Sequence, residues 1–371
     1  MSSGFAKNGL YWCSEAPLRP SQPTILFIHA SWMSSSMWGE TTQSLASHFP
    51  DTNLVRVDLN GHGKTAGGRE EYTLWDQAQD VLTLIDELNF SNVLVAAISM
   101  GTMVALRMAL LSQTKLSGLI LLSANASAAS EAHKIGFPQL RDIWTSTPSP
   151  SDAIMNGAIL AWGGATDIDC PRAQRIRDDW VQRHSGKENI DPTLRSMMER
   201  ESLLGRLAEI RVPVLLVHGE DDRTYPVQDA VAIQRGLVNA AGVTLEVLKG
   251  EGHILVYLRD SEDVTSLIRG FATKVGSQPT CLDLAILGLP PVNIEVSGAV
   301  AGGALKREAT LKYIEGFEGR LLVAGLVGLD RASSACYCSP GSGRGPEWTK
   351  SGINEAPLLA GPLIKPRREA L

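Results

Sequence analysis

The chain contains no run of about 18 apolar residues, the length a helix needs to cross a bilayer, so no membrane span is expected. Its first residues, MSSGFAKNGLYWCSEAP, lack the charged start and continuous apolar stretch of a secretory signal, and a cytoplasmic protein is expected. Charge of one sign is nowhere concentrated: 34 Lys and Arg stand against 40 Asp and Glu, the formal net charge is -6, and the basic residues are scattered. Without a basic footprint, no nucleic-acid partner is expected. Cysteine is scarce. Cys13, Cys170, Cys281, Cys336 and Cys338 are odd in number and far apart except for one Cys-x-Cys, which is neither a disulfide framework nor a zinc pattern; reduced, structural thiols are expected. Nucleotide loops are missing as well. No Gly-x-Gly-x-x-Gly follows a first strand, and Gly63-Lys64-Thr65 is no Walker loop, because Asp58 stands where that loop needs its first glycine. With no His, Cys and carboxylate cluster at metal spacing, neither cofactor nor metal is expected.

At 371 residues and 44% hydrophobic, the chain has ample material for a packed core. Strand-like and helix-like segments alternate from Thr24 to Val275. The strands are the apolar runs Thr24 to Ala30, Asn53 to Leu59, Val93 to Ser99, Leu116 to Ala124, Val212 to Gly219 and Val243 to Gly250, whose continuous hydrophobicity fits a sheet buried on both faces. Between them, Glu70 to Leu88 puts Leu74, Ala78, Val81, Leu82 and Ile85 on one helical stripe and leaves the acids and Gln outside. This alternation implies an α/β fold with a doubly wound, mostly parallel sheet. The stretch of about residues 125–207 is too long for a crossover and reads as an inserted helical cap, whose Trp144, Trp162, Trp180, Met155, Met197 and Met198 suit an apolar pocket. Residues 1–275 thus form one domain. Residues 276–371 are a Gly/Pro-rich extension, expected to be irregular apart from a short helix at Ala304 to Phe317 and an apolar element at Leu321 to Leu329.

One serine is conspicuous. In Val93 to Leu106, VLVAAISMGTMVAL, only Ser99 separates a buried strand from a helix. The chain reverses within about one residue there, which forces the side chain into the open and demands small residues two positions before and after; Ala97 and Gly101 qualify. Ala97-Ile98-Ser99-Met100-Gly101 resembles the nucleophile elbow of the α/β-hydrolase superfamily, with Ala in the first glycine position.

The resemblance covers roughly residues 9–275 and implies the rest of a site. The family orders its triad as Ser, acid, His, with the acid after a later strand and the His after the last. Here Val212 to Gly219 is followed by GEDDRTYPV, similar to the family's Gly-x-x-Asp turn, which implies Asp222; after Val243 to Gly250 come Glu251-Gly252-His253, which implies His253. The oxyanion donors implied are the amide of Met100 and, from His29-Ala30-Ser31-Trp32, the amide of Ser31. Trp32, in the same loop, is the candidate substrate contact. The turn DLNGHGKT, Asp58 to Thr65, is family-like too, with glycines that turn the chain and His62 in a structural role.

A serine at the elbow separates this chain from the dehalogenases and epoxide hydrolases, which resemble it but carry aspartate there. The expected activity is that of a cofactor-independent serine hydrolase that cleaves a carboxylic ester, lactone or thioester of a hydrophobic small molecule through an acyl-enzyme. Carbon–carbon bond hydrolysis and biosynthetic thioester processing on the same triad remain open, as does a ligand-binding module with negligible turnover. Nothing in the sequence sets the oligomeric state.

Overall fold

The computed structural model describes residues 1–65, 69, 71–163, 168–183, 187–256, 262–276, 298–301 and 304–307, and all of these lie within one unit, Met1–Val323. Its sheet opens with a hairpin that the reading of apolar runs passes over: β1 (Ser2–Phe5) pairs antiparallel with β2 (Tyr11–Ser14). Asn8-Gly9 turns the chain between them, with Gly9 at φ 85° and its amide bonded to the Ala6 carbonyl at 2.8 Å. The six apolar runs follow as β3 (Thr24–Ile28), β4 (Asn53–Asp58), β5 (Val93–Ile98), β6 (Leu116–Leu122), β7 (Val214–Gly219) and β8 (Val243–Leu248). The eight strands are ordered β1-β2-β4-β3-β5-β6-β7-β8; β2 meets β4 antiparallel and the pairs from β4 to β8 are parallel.

Alternation along the strands divides the core in two. Leu26, Ile28, Val55, Val57, Val95, Ala97, Leu119, Leu121 and Leu216 face one side, against helices α2 (Leu74–Glu87), α3 (Met100–Ser112) and α8 (Val227–Gly236). Their neighbours Ile25, Phe27, Leu54, Leu94, Ala96, Ile98, Ile120, Leu215 and Val217 face the other, against α1 (Gly39–His48) and α9 (Glu262–Gly276). Helices on both faces make the sheet doubly wound. They also account for strands without polar alternation.

Helix α2 starts where Thr73 and Asp76 form a capping box, and the expected apolar stripe is buried. Its polar residues are not all outside, however. Gln77 and Asp80 are buried because they hold the loop after β4: the Asn60 amide donates to Gln77 Oε1 at 3.1 Å, and Asn60 Nδ2 donates to Asp80 Oδ2 at 2.6 Å. A buried polar group is tolerated when it is paired, and periodicity alone does not reveal the partner.

Between β6 and β7 the chain forms four helices, α4 (Glu131–Trp144), α5 (Asp152–Gly163), α6 (Pro171–Arg183) and α7 (Lys187–Met198). Trp144 and Trp180 pack with Trp32 and Trp162, with ring centroids 5.0–5.9 Å apart. In the C-terminal extension β9 (Gly298–Ala301) and β10 (Ala304–Arg307) pair antiparallel, so the helix expected from Ala304 begins as a strand instead. Its remainder and the element expected at Leu321 to Leu329 lie outside the described residues. No helix among the described residues is long and apolar enough to cross a membrane.

Candidate active site

All the strand ends that matter here are C-terminal ends, next to the point where the chain order reverses across β3: β3 leads to β4 on one side, and β5 lies on the other. Ser99 follows β5 with φ 53° and ψ -120°, a conformation that non-glycine residues seldom adopt. The turn is held by the Ser99 amide donating to the Leu122 carbonyl at 3.0 Å and by the Thr102 hydroxyl donating to the Ser99 carbonyl at 2.6 Å. Gly101 is required, since a Cβ there would lie 2.8 Å from the carbonyl oxygens of Ile28 and His29.

Ser99, His253 and Asp222 are brought into one line. His253 Nε2 lies 2.8 Å from Ser99 Oγ, and His253 Nδ1 lies 2.7 Å from Asp222 Oδ2. A carboxylate only accepts, so Nδ1 carries the imidazole proton and Nε2 is left to accept from the serine hydroxyl. Asp222 is itself caged by donors. Its Oδ1 accepts from the amides of Thr224 at 2.8 Å and Tyr225 at 2.9 Å, and its Oδ2 is also 3.3 Å from His218 Nε2. Burial opposes ionisation of Asp222, but the facing His253 and the hydrogen bonds from His218, His253 and the Tyr225 amide outweigh it, holding the carboxyl well below the usual range. The neighbouring Asp221 is exposed, and among the described residues its amide alone is engaged, donating to the Glu251 carbonyl at 2.9 Å.

The histidine loop reaches this cage because Gly219 ends β7: a Cβ there would lie 2.2 Å from the Gly252 carbonyl oxygen and 2.4 Å from that of Glu251. Two further contacts fix His253. The Ser123 hydroxyl donates to its carbonyl at 2.7 Å, and the Trp162 carbonyl in α5 accepts from the amides of His253 at 2.7 Å and Ile254 at 2.9 Å.

After β3, the His29 imidazole is fully buried and held neutral, since burial lowers its pKa more than the Asp58 charge raises it. It bridges two strand ends, with Nδ1 donating to the Ala30 carbonyl at 2.7 Å and Nε2 accepting from the Leu59 amide at 3.0 Å. Trp32 sits at φ 59°, and its carbonyl accepts from Trp180 Nε1 at 2.8 Å, which ties the loop to the cap. No hydrogen bond among the described residues engages the amide of Ser31 or of Met100, the first residue of α3. The turn after β4 is structural in its contacts: Asp58 accepts from the amides of Ser35 at 2.6 Å and Lys64 at 2.7 Å, and Gly63, at φ 55°, makes way for its carboxylate.

Ser99 and His253 open on a pocket between the cap and the C-terminal ends of the strands. The cap supplies Phe137, Trp162, Leu194 and Met197 to its wall, and the core supplies Ser31, Trp32, Tyr225 and Ile254. Of the cap residues expected to line a pocket, Trp162 and Met197 do so, whereas Trp144, Trp180 and Met155 are buried in packing behind it and Met198 packs half-buried against the core. Sequence reasoning passed over His218, Ser123 and Tyr225. Only His218 carries a local signal, as a histidine inside an apolar strand.

Known proteins agree with this architecture. A protein of the AB hydrolase superfamily from Bacillus subtilis, YisY, is 28% identical over 261 residues, covering 67% of this chain and 91% of its own. A pimeloyl-[acyl-carrier protein] methyl ester esterase from Nitrosospira multiformis is 27% identical over 214 residues, covering 54% of this chain and 77% of its own. Among solved structures, the enol-lactonase from Burkholderia xenovorans superposes with a TM-score of 0.62 at 18% identity over 75% of this chain and 100% of that one, which is a likeness of fold. The alpha/beta hydrolase family itself matches residues 25–267, more than half of the chain, and with the sheet, the cap and the elbow already described the chain belongs to that family.

Proposed function

We propose that the protein is a serine hydrolase that cleaves a carboxylic ester, lactone or thioester of a hydrophobic small molecule through an acyl-enzyme. The observation that carries this reading is the continuous line from Ser99 through His253 to a caged, ionised Asp222, opening on an apolar cavity. Ser99 Oγ attacks the substrate carbonyl while His253 Nε2 takes its proton. Asp222 keeps the imidazole in the reactive tautomer and balances the imidazolium that forms. The oxyanion accepts hydrogen bonds from the amides of Ser31 and Met100, the latter at a helix N-terminus where the dipole favours negative charge. His253 then protonates the leaving alcohol or thiol, and water attacks the acylated Ser99 by the same route in reverse. Trp32 and the cap aromatics bind the apolar part of the substrate. The methyl ester and lactone named for two similar proteins support an acyl–oxygen bond as the one cleaved.

A role in binding alone gives no reason for the backbone strain at Ser99, which costs about 1–3 kcal/mol to maintain. Fluorophosphonate labelling followed by peptide mapping tests the assignment: Ser99 should carry the label, and Ser99→Ala should fold yet lose turnover by on the order of 10⁴-fold. Wild-type turnover in folded Ser99→Ala, or a label on another serine, would refute it.

A further inference from the structure

Tyr225, in the cavity wall, is a large polar side chain that is almost wholly enclosed, at 1% exposure. Its main chain belongs to the acid cage: the amide donates to Asp222, and the carbonyl accepts from His218 Nε2 at 2.8 Å. Its ring stands edge-on to His253, with centroids 5.3 Å apart, and to His133 of the cap, with centroids 5.5 Å apart. The hydroxyl, by contrast, has no hydrogen-bond partner among the described residues. Nor is it one of the sealed, unpaired polar atoms of the core, such as Trp38 Nε1 and Thr41 Oγ1. Tyr225 lines the cavity beside Ser99 and His253, so the cavity is where its hydroxyl can find a partner.

A buried tyrosine hydroxyl ordinarily finds a partner, because left unpaired it forfeits the hydrogen bonds it would make to water. What enters the cavity is the remaining source of one. Burial pushes the Tyr225 pKa up, so the group is a neutral donor throughout the ordinary pH range. Its position against His253 gives the direction, since that imidazole hands its proton to the departing oxygen and so marks the leaving-group half of the site. Among the described residues the wall carries no Lys, Arg, Asp or Glu, so a carboxylate there would lose its hydration without gaining a counter-ion.

On the hydrolase reading above, we propose that the Tyr225 hydroxyl donates a hydrogen bond to the alcohol half of the substrate, and that preferred substrates are uncharged esters whose alcohol carries a second acceptor oxygen near the ester. Ester hydrolysis itself is unchanged by this: water adds across the acyl–oxygen bond and the oxygenated alcohol leaves.

Isosteric esters test it. Methoxyethyl acetate and butyl acetate differ only by an ether oxygen in the alcohol, ethyl methoxypropanoate and ethyl pentanoate by the same oxygen in the acyl chain, and monoethyl succinate adds a carboxylate. The wild-type protein should prefer methoxyethyl over butyl acetate in kcat/KM, and Tyr225→Phe, which keeps the ring contacts, should lower that ratio about five- to tenfold. The acyl-side ratio should not change, and monoethyl succinate should be the poorest substrate. An unchanged alcohol-side ratio, an equal shift on the acyl side, or preferred turnover of the succinate would overturn the proposal. Wild-type protein labelled at Ser99 but inert toward these esters would overturn it as well. Failure of the underlying reading looks different: no ester is turned over and fluorophosphonate does not label Ser99.

Discussion

Two adjacent acids, Asp221 and Asp222, have the same chemistry and opposite surroundings. Asp222 accepts from two amides and two imidazoles, whereas the Asp221 side chain is exposed beside it. Asparagine at position 222 keeps the shape but presents a donor where His253 Nδ1–H needs an acceptor, favouring the wrong tautomer. Asp222→Asn should lose about 10⁴-fold in turnover, the effect of such a change in a serine protease, and Asp221→Asn no more than about tenfold. Turnover of one ester by both variants near neutral pH decides between them; a dead Asp221→Asn would move the acid by one residue. A pH effect follows with a definite sign. Because the folded pKa of Asp222 is depressed, its contribution to stability is complete above the unfolded value of about 3.9 and is lost as pH falls below that. Urea midpoints measured down the acid range should therefore fall less steeply in Asp222→Asn than in the wild-type protein.

Among the elements, the acid turn after β7 and the histidine loop after β8 come together through a glycine. Gly219→Ala would drive a Cβ into the Gly252 and Glu251 carbonyls, so the loop carrying His253 must shift. Overpacking of this kind costs about 1–3 kcal/mol, and a small displacement of a base costs turnover steeply. Gly205→Ala, where a Cβ would meet nothing within 4 Å, is the control. The expected outcome is a lower urea midpoint and a large loss of kcat/KM in Gly219→Ala alone; equal behaviour of the two variants would show that the loop gives way without consequence. The cap enters the same geometry through main-chain atoms. The Trp162 carbonyl takes the amides of His253 and Ile254, and Trp180 holds the Trp32 carbonyl, so α5 and α6 grip the histidine loop and the loop after β3 at once.

For the molecule as a whole, the eight-stranded sheet, α1 to α9 and the residues Ser99, Asp222 and His253 all precede residue 277. A chain ending at Gly276 should remain soluble and keep kcat/KM within about twofold, because it retains the whole eight-stranded sheet, α1 to α9 and the three site residues. Gel filtration and ester turnover of the shortened chain check this. Aggregation would mean that residues beyond 276 cover apolar surface.

The strands and the site turns were legible in the sequence because each is a local event. A buried strand needs an uninterrupted apolar run, and a strand-to-helix reversal at Ser99 needs small residues at Ala97 and Gly101. The acid turn likewise carries its own glycine spacing. The hairpin of β1 and β2 had its signal in Asn8-Gly9, but its strands lack the apolar runs that mark the central ones. Other features depend on segments remote in sequence. Gln77 and Asp80 are buried because Asn60 is there to pair with them, His218 matters because Asp222 turns back onto it, and Ser123 and Trp162 act on His253 through its main chain, which no side-chain pattern records. The sequence by itself determined which residues can turn, cap and line a core, since those preferences belong to each residue and its near neighbours. Tertiary structure alone decided which polar groups meet, and put Tyr225 in the cavity wall with no hydrogen-bond partner for its hydroxyl among the described residues, because hydrogen bonding and burial depend on distances between segments that only the folded chain brings together.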